Sequence, residues 1–120
     1  MGLDMYALAT TENPEADFGF KPEQAEELHY WRKHPSLHGW MENLYRERGG
    51  EEVFDCITLR LTVADIDRLE ADVRAGELPP TQGFFFGESD GTETEDDLAF
   101  VAKARQAIAK GKTVFYDSWW

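Results

Sequence analysis

The sequence predicts a single α+β domain over residues 1–120, a small mixed sheet of three to four strands packed with about four helices. Three observations predict it. Apolar, β-prone segments stand at the two ends, Gly2 to Ala9 and Thr113 to Trp120. Between them, apolar residues recur at three- and four-residue steps in stretches punctuated by glycine and proline. Hydrophobic residues make up 42% and aromatics 13% of 120 residues, enough for one packed interior in a chain too short for two.

Gly2 to Ala9 carries one charge, Asp4, and turn residues follow it, which suits a central strand. Thr10 to Phe20 mixes Thr, Asn, Pro, Gly and acids without a period and reads as a loop pinned to the core by Phe18 and Phe20. A first helix is expected from Pro22 to His34. Pro22 suits a first turn, Glu23, Glu26 and Glu27 place negative charge at its start, and Arg32, Lys33 and His34 place positive charge at its end. Pro35 would end it and Ser36 would cap a second helix, the two forming a helical corner.

On that second helix Leu37, Trp40, Met41, Leu44 and Tyr45 share one face, and Gly49 and Gly50 stop it. Val53 to Leu61 alternates imperfectly, with β-branched bias, and is expected to be a strand holding a buried Cys56. Thr62 can cap a third helix with Val63, Ile66, Leu69 and Val73 inward, closed by Gly76 ahead of Pro79 and Pro80. QGFFFG, residues 82–87, is expected to be an aromatic strand or tight loop followed by an SDGT turn. Thr94 begins a fourth helix with acids in its first turn, ended by Gly111, and TVFYDSWW returns as a strand.

Acidic residues outnumber basic ones 24 to 12, for a formal charge of −12 and a pI near 4.5. Such a surface repels phosphates, so no direct nucleic-acid binding is expected; it suits solubility or an acidic face that docks a basic partner. A lone cysteine cannot close an internal disulfide, and MGLDMYALAT has neither the basic start nor the long apolar run of a secretion signal, which points to the cytoplasm. No apolar run approaches the roughly 18 residues a membrane helix needs, so no membrane association is expected.

MGLDMY at the start, YWRKHPSLHGWMENLY, LPPTQGFFFG, DDLAFVAKARQAIAKG and the closing VFYDSWW together resemble a family of small proteins encoded by phages, prophages and bacteria. The resemblance covers both ends and most of the middle, and implies a phage-associated context. Members often bear the label phosphoglycerate kinase, which does not fit this chain. Such a kinase closes two domains around nucleotide and sugar phosphate, and this sequence has no glycine-rich phosphate loop ending in Lys-Ser or Lys-Thr. No catalytic residue is carried over.

Several constellations could bear chemistry. His29, His34 and His38, beside Glu27 and Glu42, could ligate a transition metal, but Pro35 interrupts the helical spacing between His34 and His38. Core-edge or capping histidines explain the same residues. Cys56 with one of these histidines could make a nucleophile pair, against which stands burial in a strand. ESDGTETEDD has the acids of a calcium loop without the EF-hand spacing, and a solvated turn explains it equally. No cofactor is expected.

The aromatics are in surplus. Trp119, Trp120 or Phe85, exposed beside Arg32, Arg46 or Arg48, would have the composition of a protein-binding hot spot. The basic residues around the helical corner could instead form an anion site, or simply balance helix dipoles. The leading expectation is a phage-associated acidic binding protein that modulates a host or defence protein. The alternative is a small enzyme or ligand- or metal-binding protein using the histidine-rich corner with Asp4 and Asp117, strand acids that need partners such as Arg32 or Arg60.

Overall fold

The computed structural model describes residues 3–12, 16–32, 34–76 and 94–119. The element order is β1 (Asp4–Thr10), β2 (Glu26–Arg32), α1 (Pro35–Glu47), β3 (Leu59–Leu61), α2 (Val63–Ala75), α3 (Thr94–Ala109) and β4 (Thr113–Trp119). The four strands form one sheet in the order β2-β1-β4-β3, with every pairing antiparallel. The architecture is α+β, and the described helices number three. The QGFFFG segment, the SDGT turn, Lys33 and Trp120 lie outside the described residues.

β1 is central because its two sets of side chains both find a use. Met5, Ala7 and Ala9 point to one face and are almost fully buried, while Asp4, Tyr6 and Leu8 point to the other and are half-buried. On the buried face, Trp31, Leu59, Leu61, Val114 and Tyr116 continue the layer across the other strands. The helices cover that layer with Leu37, Met41 and Tyr45 from α1, Ile66 and Leu69 from α2, and Phe100, Val101 and Ala104 from α3. Burial of an aliphatic side chain of this size contributes about 1.5–3 kcal/mol, so this single layer carries the fold.

The expected helix from Pro22 to His34 is a correction: residues 26–32 form β2. Its sequence EELHYWR satisfies a half-buried strand, with Trp31 inward, 4% exposed, and Tyr30 and Arg32 outward. In that geometry the Trp31 indole reaches Asp97 on α3, and the strand gains the ladder with β1. A register shift between Ala7 and Leu8 marks a bulge in this pairing. Pro35 therefore opens α1 rather than closing a preceding helix, and His34, not Ser36, occupies the cap position.

The second correction concerns Val53 to Leu61, of which only Leu59–Leu61 is strand. Phe54 leaves the extended path to stack between Tyr45, His38 and Tyr116, at ring-centroid distances of 4.8, 5.2 and 5.9 Å. Cys56 then takes a left-handed φ of 58°, which a strand cannot accommodate, and its side chain is exposed. The other helices follow the sequence. Thr62 caps α2 in a reciprocal box with Asp65, and Gly76 at φ 69° ends it.

The long connection from β1 to β2 crosses the sheet. Phe18 bridges to Leu59 at the β3 edge, Gly19 N–H donates to Thr58 O, and Thr58 Oγ1 donates to Phe20 O. Phe20 sets its ring edge-on to Phe115 at 5.2 Å, and Thr10 Oγ1 donates to Gln24 O at 2.6 Å. Residues 17–25 are thus a strap over the face that carries no described helix, the helix-free face, crossing the half that holds Leu8 and Phe115. Among the described residues, no segment crosses the other half of that face, which is called its open half.

Candidate functional site

Antiparallel register places side chains opposite one another on the same face. Asp4 of β1 stands between Arg32 of β2 and Trp119 of β4, and Tyr6 stands between Tyr30 and Asp117. These two adjacent rows form the open half of the helix-free face. Trp119 is 64% exposed and Tyr30 44% exposed, the two exposed aromatic side chains among the described residues, while the other large exposed apolar side chains, Val53 and Val63, lie outside its strands.

The polar groups of the patch are organised. Tyr30 Oη donates to Asp4 Oδ1 at 2.6 Å, and the Arg32 guanidinium lies 3.9 Å from the same oxygen. The hydrogen bond to Asp4 holds the Tyr30 phenol above its ordinary pKa. Tyr6 and Tyr30 pack at 5.2 Å between centroids, tilted by 46°. Asp117 is half-buried, and burial together with nearby Asp55 raises its pKa against the lowering bond from Ser118 N–H. The result is an aromatic platform with a carboxylate at its centre, another at its side and a guanidinium at its edge.

Of the residues the sequence singles out, the structure brings Trp119 and Arg32 into one row and separates Arg46 and Arg48 from them. Arg46, at the end of α1, donates to Gly50 O and pairs with Glu42. Arg48 pairs with the capping-box acid Asp65 and donates to Arg60 O, tying α1 to β3 and α2. Both guanidinium groups therefore hold structure together. Trp120 and Phe85 lie outside the described residues.

The three histidines do not converge. His34 Nε2 lies 2.9 Å from Asp97 Oδ2, both buried, while Trp31 Nε1 donates to Asp97 Oδ1 at 3.0 Å. His38 Nδ1 lies 2.8 Å from Tyr116 Oη, also buried, and burial pushes the imidazole down to about 4. His29 packs on Trp31 at 4.5 Å, and burial lowers its pKa. Among the described residues no group of three His, Cys, Asp or Glu side chains could hold a metal ion. A Cys56–histidine pair fails on place as well. Cys56 sits at the opposite face of the sheet from His38, and burial, Asp55 and Asp117 push its thiol up, away from the thiolate.

Sequence reasoning missed Tyr6 and Tyr30 as members of the face. The signal was present in β1, where Asp4, Tyr6 and Leu8 alternate with small or apolar residues, but Tyr30 could join only once residues 26–32 were a strand. No helix among the described residues is long and apolar enough to cross a membrane. No family model, curated protein or solved structure matches the chain.

Proposed function

We propose that the protein is an acidic binding module, phage-associated as its resemblance implies, which modulates a host or defence protein by docking it on the open half of the helix-free sheet face. The observation that carries this reading is the pair of rows Arg32–Asp4–Trp119 and Tyr30–Tyr6–Asp117. Tryptophan and tyrosine supply large contact area at small entropic cost, and hot spots are enriched in Trp, Tyr and Arg. Charge selects the partner. A formal charge of −12 favours encounter with a basic surface and resists nucleic acid. A single cysteine left as a free thiol fits action in a reducing cytoplasm.

The alternative, a small enzyme or ligand- or metal-binding protein, drew on a histidine corner whose members the fold sets against different partners. The test uses tagged wild-type protein and the Trp119→Ala/Tyr30→Ala variant, checked for folding by circular dichroism. Wild type should retain one stoichiometric basic protein from host lysate, less of it at high salt, and the variant should lose it. Equal capture by the variant would remove the face from the reading. No partner in any salt would remove the reading itself.

A further inference from the structure

The strap of residues 17–25 arches over the sheet rather than lying flat on it. Its far end is tied at Gln24 and its near end at Phe18, while loop 51–58 rises on the other side, held by Cys56 N–H donating to Ser118 O at 2.8 Å. Between the two lies a cavity of about 510 Å³ with Leu8, Phe20, Ile57 and Phe115 among its walls. That volume falls within the ordinary range for small-molecule sites, which pair an apolar wall with a few placed polar groups. Pocket chemistry here is set by Asp117, Glu52 and Lys21.

Asp117 has one oxygen on its neighbour's backbone, with Ser118 N–H donating at 2.9 Å, and among the described residues no ion pair neutralises it. Glu52 faces the same space and Asp55 lies near enough to raise the Asp117 pKa, so among the described lining residues the carboxylates outnumber the one ammonium, Lys21. A half-buried carboxylate against aromatic walls is a poor seat for an anion, and a neutral ligand would leave its charge uncompensated.

We propose that this cavity binds an amphiphilic organic cation, its aromatic or aliphatic body against Phe20 and Phe115 and its ammonium or guanidinium against the Asp117 carboxylate. The inference goes beyond the docking reading and does not rest on it. Asp117 stands opposite Tyr6 in the register, so the cavity opens beside the aromatic platform. The cation can be a free amine, or a lysine or arginine side chain of a docked protein, and the shared chemistry is the same.

Phenethylamine is the probe, with 2-phenylethanol as its neutral counterpart and phenylacetate as its anionic one. Binding is read from backbone amide chemical shifts and from the rate at which iodoacetamide alkylates Cys56, which lines the cavity. Phenethylamine should bind saturably with a Kd on the order of 1 mM, as fits so small a ligand, and should slow the alkylation. The alcohol should bind roughly tenfold more weakly and phenylacetate more weakly still. Asp117→Asn should cost roughly tenfold in phenethylamine affinity, and Lys21→Met should improve it.

The proposal is overturned if phenethylamine shows no saturable binding, if the alcohol binds equally well, or if Asp117→Asn leaves the affinity unchanged. A basic peptide from a captured partner, competing with phenethylamine for the same shifted amides, would assign the cation to a side chain. Failure to compete would assign it to a free amine. Because the probe is a free small molecule, its failure leaves the docking reading standing, and loss of the docking partner leaves the cavity result standing.

Discussion

Acidification should destabilise this protein through one histidine. His38 is 1% exposed on α1, stacked 5.2 Å from Phe54 and hydrogen-bonded to Tyr116 Oη, and burial depresses its pKa from 6.5 to about 4, against a smaller upward push from Asp55. The folded state keeps the imidazole neutral where the unfolded chain already binds a proton. Stability is therefore full above the unfolded value and falls as pH drops from about 6.5 towards 4. The full window corresponds to about 3 kcal/mol, and the part lying between pH 7 and pH 5 to about 2 kcal/mol. His38→Gln keeps a donor and an acceptor for Tyr116 but has nothing to titrate. Urea unfolding of both proteins at pH 7 and pH 5 isolates the effect, since His29, whose pKa is also lowered, and Asp117, whose pKa is raised, act alike in both. Wild type should lose about 2 kcal/mol more than the variant on going to pH 5. Parallel losses would refute the buried, neutral His38 and the sign worked from it.

Further outcomes follow from other contacts. Asp97→Ala, which strands buried His34 and Trp31 without their shared acceptor, should cost about 3 kcal/mol in urea unfolding; Asp97→Asn, which can still serve both, should cost less than half of that. A Cβ at Gly50 would fall 2.2 Å from the Tyr45 ring, so Gly50→Ala should cost about 2 kcal/mol or more, whereas Gly49→Ala meets open space and pays only for its φ of 94°, about 1 kcal/mol. Thiol titration of the folded protein should label Cys56 to completion, slowly at pH 7 and faster as pH rises, because the thiol is exposed and its pKa is raised. Labelling only after unfolding would contradict its position on the surface.

Much of the fold was legible because single elements carry redundant signals. α2 has a cap at Thr62, an apolar face and a left-handed Gly76, and α3 has acids in its first turn, so local chemistry and periodicity agree. The segment from Pro22 to His34 failed because charge at its ends imitates a helix dipole pattern while its aromatics prefer a strand. The contest was decided by partners far away in sequence, namely Asp97 for the Trp31 indole and β1 for the backbone. Residues 53–58 failed for the opposite reason. Their alternation was genuine in composition, yet Phe54 gains more by stacking among Tyr45, His38 and Tyr116 than a ladder position would offer, and the backbone turns at Cys56 to allow it.

The candidate site was less legible than the core because it depends on which half of one sheet face the strap covers. Where the outward residues are apolar, Leu8 and Phe115, the strap crosses them and Phe20 completes the packing. Where they carry polar tips, Asp4, Tyr6, Tyr30, Asp117, Trp119 and Arg32, no described segment crosses, and Trp119 stays 64% exposed. A face needed only for solubility would be met by charged side chains such as the aspartate, glutamate and arginine that α2 turns to water. Placing tryptophan and tyrosine there instead costs solubility and contributes little to folding at that exposure. The side chains that the fold does not need are therefore the ones that carry the binding reading, and the strand that the sequence disguised as a helix supplies two of them.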